Sequence, residues 1–305
     1  MTIKKYDIWL ASNIFLFLLL NLYLRKEMFS AGDSDGFFID LQATKSFSWG
    51  TMEYLLELVH ILRFVVAYPF LWLFENGFHP VFESILLLGC MFPVLTAEFG
   101  GKKHLAQALF IYLPYFISYR SVLVACAIAY LFILLFSSKR SSYLLWASAL
   151  FANLSSGVVM GWLLIVLVNR RELMQRFKLL WLLVAAMALS LSFSISQKLN
   201  FFSETAKTTD SANGAVEAFM RNTVIVSYQN QQYARLVTYC LAILLLFVIF
   251  LHGMMQARRS RSSLKFFVCS VPGLFMEGLS VMAFVIPILW FYLGIRPFKR
   301  RVAAD

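Results

Sequence analysis

The chain has 305 residues, of which 60% are hydrophobic and only 14% charged, and its mean hydropathy is +0.73. Soluble domains carry about 25% charged residues, so this composition excludes an ordinary soluble protein and predicts a chain that crosses a membrane many times. The net charge is +11, but no polar segment interleaves basic with aromatic residues, so nucleic-acid binding is not expected.

The first apolar run, residues 8–24, follows Lys4 and Lys5 as the core of a signal peptide would. No cleavage site of small residues comes after it and apolar runs continue along the chain, so we predict a retained span. Together the runs predict a single all-α transmembrane domain over residues 1–305, a polytopic helical bundle of roughly 9–12 spans that includes short or broken helices. The later runs lie at 54–75, 81–97, 104–118, 121–137, 142–168, 176–195, 234–254 and 265–294.

Lysine and arginine are gathered into six clusters, which hold 18 of the 27 basic residues. Basic residues favour the cytoplasmic side of membrane proteins, so we expect all six clusters, and with them both chain termini, in the cytoplasm. Two polar segments, residues 25–53 and 196–233, then form outward-facing loops. The clusters are Lys4/Lys5, Lys102/Lys103, Lys139/Arg140, Arg170/Arg171/Arg176/Lys178, Arg258/Arg259/Arg261/Lys265 and Arg296/Lys299/Arg300/Arg301.

This placement constrains the runs at 54–75, 142–168 and 265–294, which must each cross an even number of times or not at all. None is long enough for two straight helices of about 20 residues each, so short, kinked or re-entrant helices are expected. The alternative is that one of the weaker runs does not span and the charge rule fails there. The expected breaks are at Gly157/Gly161 and Pro272/Gly273.

Four arginines outside the clusters have no simple topological role: Arg63, Arg120, Arg221 and Arg235. A guanidinium keeps its charge in any environment and matches two phosphate oxygens, so a pyrophosphate is a natural ligand for an outward arginine. Arg63, Arg120 and Arg221 are the predicted ligands, whereas Arg235 begins a span and suits an interfacial anchor. For Arg120 a structural alternative is open, because it could pair with an acid such as Glu83 or cap a turn between two helices.

Tyrosines near the predicted outer side suit sugar binding, because an aromatic ring stacks on the apolar face of a sugar while its hydroxyl forms hydrogen bonds. Tyr115, Tyr119 and Tyr228 are the predicted contacts. Tyrosine belts are also normal at membrane interfaces, which is the alternative explanation.

Three residues are candidate general bases: Asp33 and Asp35, in the glycine-bounded stretch GDSDG, and His60. The aspartates could instead hold a divalent cation or only form a turn, and the histidine could simply be packed. The acids Glu83 and Glu277 lie within apolar runs, where a carboxyl is costly. The four cysteines show no CxxC or Cys/His spacing, so no metal site is expected.

A resemblance to a known family lies in residues 118–171, SYRSVLVACAIAYLFILLFSSKRSSYLLWASALFANLSSGVVMGWLLIVLVNRR. This stretch is similar to the central block of bacterial polysaccharide polymerases of the Wzy and EpsG type. In that block an outward arginine opens a span, a basic cytoplasmic turn follows, and a span rich in small residues comes next. Arg120 matches the arginine and residues 139–140 the basic turn. Ser121 stands where EpsG-like proteins usually have glutamine, and Asn153 where histidine is common.

The resemblance implies a multi-span glycosyltransferase of the bacterial inner membrane that polymerises O-antigen, capsule or exopolysaccharide repeat units. Arg120, with Arg221 or Arg63, would hold the pyrophosphate of an undecaprenyl-linked oligosaccharide on the outer side. A carboxylate or histidine would deprotonate the acceptor hydroxyl in an inverting displacement. No cofactor and no metal are implied. The expected partners are the lipid-linked oligosaccharide and the bilayer, and a chain-length regulator protein is a further candidate.

Two other functions remain alternatives at this point. A transporter or flippase of lipid-linked glycans would also use broken helices and intramembrane charges, but it usually shows inverted repeats, and the sequence has none. A membrane acyltransferase that modifies surface glycans would place a histidine beside an acid or arginine within a span. Only His60, with Glu57 and Arg63, approaches that pattern.

Overall fold

The computed structural model describes residues 5–24, 54–97, 103–115, 119–136 and 141–208, with a few positions between 233 and 248. In this part of the chain the regular structure is all helix, with no strand, which confirms the predicted all-α class. Within these ranges, no helix combines the length and the apolar character that a membrane crossing requires. The helices are α1 (Lys5–Leu24), α2 (Tyr54–Glu75), α3 (Pro80–Leu95), α4 (Lys103–Tyr112), a 3-10 helix (Leu113–Tyr115), α5 (Tyr119–Phe136), α6 (Ser142–Ala152), α7 (Ser156–Val168), α8 (Arg170–Arg176) and α9 (Leu180–Thr208).

Helix α5 is the centre of the described bundle. Its side chains from Ser121 to Leu134 are all buried, so this stretch has no face towards the surface. The sequence explains this, because residues 122–134 read VLVACAIAYLFIL, and a helix that is apolar all round is stable only when it is enclosed. Helices α3, α6 and α7 pack around it.

Two contacts fix the direction of α3 relative to α5. The Tyr119 hydroxyl, at the start of α5, lies 3.3 Å from the Ser84 hydroxyl near the start of α3. Further along both helices, the Tyr130 hydroxyl donates a hydrogen bond to the Cys90 carbonyl. Since the order is the same in both helices, α3 and α5 run parallel.

Helices α1 and α4 are also parallel. The Trp9 and His104 rings meet edge to face at 5.1 Å, and further on the Tyr112 hydroxyl donates to Asn13 Oδ1 over 3.0 Å. Helix α4 in turn runs antiparallel to α3, because Gln107 near its start donates to the carbonyl of Leu95 at the end of α3.

Helices α6 and α7 form a hairpin. The Trp162 indole N–H donates to Ser148 Oγ over 2.8 Å, and Ser148 donates to the Ala127 carbonyl of α5 over 2.6 Å. If α6 and α7 continued in one line, Trp162 and Ser148 would be about 20 Å apart at 1.5 Å per residue. The chain therefore reverses between them, at residues 153–155, and this segment is called the hairpin tip below.

The predicted division of the run 142–168 is present, but the break is not at the glycines. It lies at the hairpin tip, where Ser155 has extended backbone (φ −146°) before α7 begins. Gly157 and Gly161 are buried inside α7, where small residues allow neighbouring helices to approach closely. The run 54–75, in contrast, is one continuous 22-residue helix that contains Pro69. The run 265–294 lies outside the described residues.

The helix directions give the bundle two different ends. Helices α1, α4, α6 and α9 begin at one end, where α3, α5 and α7 finish; it is called the basic end, because four of the six basic clusters adjoin these termini in the sequence. At the opposite end lie the starts of α3 and α5 and the hairpin tip. Arg120 is at this second end, which is called the Arg120 end.

The Ser148 hydroxyl links three helices, so its removal is expected to weaken the bundle. In Ser148→Ala, the buried Trp162 N–H loses its partner and the Ala127 carbonyl loses its second hydrogen bond, so the free energy of unfolding should fall by about 1–3 kcal/mol. Thermal unfolding of the purified protein, followed by circular dichroism, measures this loss.

Ser192→Ala is the matched control, because the exposed Ser192 hydroxyl bonds only within its own helix, to the Leu189 carbonyl. Its effect should stay within about 0.5 kcal/mol. Equal effects of the two substitutions would show that Ser148 does not hold the hairpin to α5.

Candidate functional site

Buried polar side chains gather at the Arg120 end. Proteins bury such groups only with hydrogen-bond partners or for a function, because each one loses its water. In the described bundle they come from four places: the first turn of α3, the start of α5, the hairpin tip and the middle of α9. We call this group the Arg120 cluster; it comprises Glu83, Ser84, Tyr119, Arg120, Asn153, Ser155, Ser156 and Ser190.

Arg120 bonds to the hairpin tip. Its Nε donates to the Leu154 carbonyl over 2.9 Å, and its Nη2 donates to the same oxygen. A carbonyl at the end of a helix has no hydrogen-bond donor within that helix. The guanidinium of Arg120 provides the donors for the Leu154 carbonyl. Of the two structural alternatives, the described residues show the capped turn between two helices, and no ion pair with Glu83 is present among them.

The capping bonds use only part of the guanidinium. Arginine carries five N–H donors, and two of its three nitrogens act here on a single carbonyl oxygen. The side chain is half-buried, so the remaining donors lie at the edge of the bundle and not within its core. Arg120 is thus held in one orientation and keeps N–H groups with which it can bind an anion.

Asn153 ties the hairpin tip to α9. Its Nδ2 donates to the Ala149 carbonyl over 2.8 Å and lies 3.0 Å from the sulfur of Met187. Its Oδ1 accepts a hydrogen bond from the Ser190 hydroxyl of α9. Asn153 therefore has a structural role, because it holds the hairpin tip to α9.

Tyr119 joins the starts of α3 and α5. It is 3% exposed, its ring lies 5.9 Å from that of Phe70 on α2, and its hydroxyl lies 3.3 Å from Ser84 Oγ. The Ser84 hydroxyl also lies 3.2 Å from the Pro80 carbonyl, so it links the start of α3 to Tyr119. Glu83, beside Ser84 in the sequence, is also 3% exposed.

Tyr115 lies at the same end, on the 3-10 helix, and faces α1. Its hydroxyl donates to the Phe17 carbonyl over 3.4 Å, and its ring meets the Phe17 ring edge to face at 5.5 Å. The structure thus brings Tyr119 and Arg120 together and places Tyr115 on the α1 side of the 3-10 helix.

The other predicted site residues cannot be placed with these. His60 and Arg63 belong to α2 by their backbone, but their side chains lie outside the described residues. Asp33, Asp35, Arg221 and Tyr228 lie outside them altogether, so their predicted roles stay predictions. Within the described ranges, no group of three or more His, Cys, Asp or Glu residues could hold a metal ion.

Sequence reasoning did not place Ser84, Asn153 and Ser190 in one group with Arg120. Serine and asparagine are common in turns and helices, and only the folded arrangement brings α9 to the hairpin tip. Glu83 could be singled out from the sequence, because an acid within an apolar run is costly and therefore indicates a site.

Comparison with known proteins gave no match: no family model, no curated protein and no solved structure is significantly similar to the chain.

The cap on the hairpin tip gives a prediction for stability. Arg120→Met removes both capping donors and leaves the Leu154 carbonyl without a partner, so the free energy of unfolding should fall by about 1–3 kcal/mol. Arg120→Lys keeps one charged donor within reach of the carbonyl and should lose less. Thermal unfolding of both variants measures the difference, and a Met variant as stable as the wild type would contradict the capping role.

Proposed function

We propose that this protein is a glycosyltransferase of the polysaccharide-polymerase type, embedded in the bacterial inner membrane as a polytopic helical bundle. It joins oligosaccharide repeat units that are carried on undecaprenyl pyrophosphate, on the side of the membrane opposite to the basic clusters. Its basic end lies in the cytoplasm and its Arg120 end faces outward. The sequence resemblance around Arg120 supplies the reaction, and three features of the structure support the assignment.

The first feature is the apolar surface of the bundle. Large apolar side chains are exposed on successive helices, among them Phe15, Trp72, Phe92, Trp146 and Leu182. Soluble monomers rarely expose apolar patches of more than a few hundred Å², whereas a lipid environment stabilises such a surface.

The second feature is the separation of charge along the bundle axis. The starts of α1, α4 and α6 adjoin the basic pairs Lys4/Lys5, Lys102/Lys103 and Lys139/Arg140 in the sequence, and α8 contributes Arg170 and Arg171 at the same end. This is the asymmetry that the positive-inside rule describes for proteins of the inner membrane.

The third feature, and the observation that carries the proposal, is the position of Arg120. It is a half-buried cation at the end of the bundle away from the basic clusters, and the hairpin tip fixes its orientation. Anionic lipid attracts basic residues chiefly on the cytoplasmic side, so topology does not account for this arginine. A lipid pyrophosphate does, because its oxygens accept charge-assisted hydrogen bonds from the N–H groups that the cap leaves over.

In the mechanism that follows, Arg120 stabilises the negative charge of the leaving group, and a separate group accepts the proton of the acceptor hydroxyl. As the glycosidic carbon of the donor sugar separates from its lipid pyrophosphate, negative charge grows on the leaving oxygen, and a fixed guanidinium stabilises that charge. Tyr115 and Tyr228 contact the sugars, whereas the buried Tyr119 supports Arg120 from within the bundle, and Arg63 or Arg221 provides a second cation. Asp33, Asp35 and His60 are the sequence candidates for the base that takes the proton from the acceptor hydroxyl.

The proposed orientation is open to a direct test with two exposed polar residues, each replaced by cysteine in a chain without other cysteines. Asn76 follows α2 at the Arg120 end, and Ser142 begins α6 at the basic end. In intact cells without their outer membrane, an impermeant maleimide should label Asn76→Cys, but should label Ser142→Cys only after the inner membrane is opened. Labelling of both from the same side would contradict the orientation.

The proposed reaction is tested with the purified protein in vesicles that contain an undecaprenyl-pyrophosphate-linked repeat unit. The wild type should produce a ladder of longer glycans, and Arg120→Ala should abolish it. Arg120→Lys keeps the charge but loses the planar fork, so the rate of extension should fall by about 10- to 100-fold.

Arg171→Lys is the matched control, because Arg171 is an exposed arginine at the basic end and its replacement should leave extension unchanged. Transfer of an acetyl label to the glycan, or movement of the lipid across the bilayer without extension, would replace the proposal with an acyltransferase or a flippase. Extension by Arg120→Ala at the wild-type rate would remove Arg120 from the mechanism.

A further inference from the structure

A buried carboxyl group lies at the Arg120 end, and no cation of the described residues pairs with it. Glu83, in the first turn of α3, is 3% exposed. Among the described residues it has no ion pair with any lysine or arginine, and Arg120, the cation of the same cluster, directs its bonds to Leu154. A carboxylate in such a position loses its hydration without receiving an opposite charge in return.

This cost argues against a purely structural role for Glu83. An acid in the first turn of a helix interacts favourably with the helix dipole, but that benefit is about 0.3–1 kcal/mol at the surface, less than the cost of burying an unpaired carboxylate. A glutamine or an apolar residue would fill the same space without that cost. The neighbouring N-cap of α3 is already provided by His79, whose ring accepts a hydrogen bond from the Val81 N–H.

The surroundings of Glu83 place it beside the residues that bind substrate in the proposed function. Glu83 is linked to this region through its neighbour in α3, and Tyr119 is the residue before Arg120. Ser84, the residue after Glu83, shares a hydrogen bond with the same tyrosine.

We propose that Glu83 is the general base that accepts the proton of the acceptor sugar, an assignment that rests on the proposed function and deepens it. The acceptor hydroxyl gives its proton to the Glu83 carboxylate while its oxygen forms a bond to the anomeric carbon of the donor sugar. The bond from that carbon to the pyrophosphate oxygen breaks, and the lipid pyrophosphate leaves with the electron pair beside Arg120. Glu83 then releases its proton to water, and the carboxylate is ready for the next transfer.

A second physical argument favours this position for the base. A general base accepts a proton most readily when no cation neutralises its charge, and among the described residues no lysine or arginine pairs with Glu83. Helices α1, α2, α4 and α5 pack against α3, and the titratable group that the structure ties to the Glu83 region is Tyr119, through its hydrogen bond with Ser84.

Extension kinetics of Glu83→Gln and Glu83→Asp test the assignment, with the full-length protein in vesicles and the lipid-linked repeat unit as substrate. Glu83→Gln keeps the shape of the side chain and removes the base, so kcat should fall by about 100- to 10,000-fold while KM stays near the wild-type value. The acidic limb of the pH profile of kcat should disappear in this variant. Glu83→Asp keeps a carboxyl that is one methylene further back, and should retain the acidic limb at a reduced kcat.

A structural role would give a different pattern, since it would lower the thermal stability of Glu83→Gln and leave its pH profile unchanged. Glu83→Gln with wild-type kcat and pH profile would overturn the assignment, and Asp33→Asn, Asp35→Asn and His60→Gln would then identify the base. The absence of extension by the wild-type protein would instead overturn the proposed function, and with it the role of Glu83. Restoration of activity in Glu83→Ala by added formate would support the assignment, because formate supplies a carboxylate without repairing the fold.

Discussion

The bond from Arg120 to the Leu154 carbonyl joins α5 to the hairpin tip, two unusual parts of this bundle. One is α5, a helix enclosed on every side, and the other is a pair of short helices that turn back inside the fold. The turn exposes a carbonyl group where no water is available, and the enclosed helix supplies a charged donor at its first turn. With this bond in place, α6 can lie along α5, α7 along α6, and α9 along the tip through Ser190.

The same bond bears on the phosphate binding that we propose for Arg120. A long arginine side chain normally loses up to about 2 kcal/mol of rotamer freedom when it is fixed on a ligand. Here the fold has already restricted that freedom, so a phosphate that meets the remaining N–H groups binds a guanidinium that is oriented in advance. Structural and functional explanations of Arg120 are therefore compatible, because a planar group with five donors can cap a carbonyl on one edge and bind an anion on another.

The sequence predicts the helical class well, because long apolar runs separated by basic clusters leave few other possibilities. It also predicts that residues 142–168 are divided, since the charges on either side require the chain to return. It does not give the position of the break. The glycines indicated Gly157/Gly161, but the chain turns at the hairpin tip, which depends on Arg120 of α5 and the Ser190 hydroxyl of α9. Ser190 carries no local signal, because a serine in a long helix is ordinary until α9 packs against the tip. Residues 54–75 form one continuous helix that contains Pro69, and its predicted relation to the membrane stays a prediction.

The hairpin tip also has a consequence for how the chain is made. Arg120, which bonds to the Leu154 carbonyl of the tip, is synthesised before the tip. Ser190, which bonds to Asn153 of the tip, is added more than thirty residues after it. A nascent chain that ends after α7 would therefore hold a hairpin with Asn153 only partly bonded. The Ser190 hydroxyl is added only when this part of α9 is synthesised, so the hairpin reaches its final packing after translation has passed the basic cluster Arg170/Arg171/Arg176/Lys178.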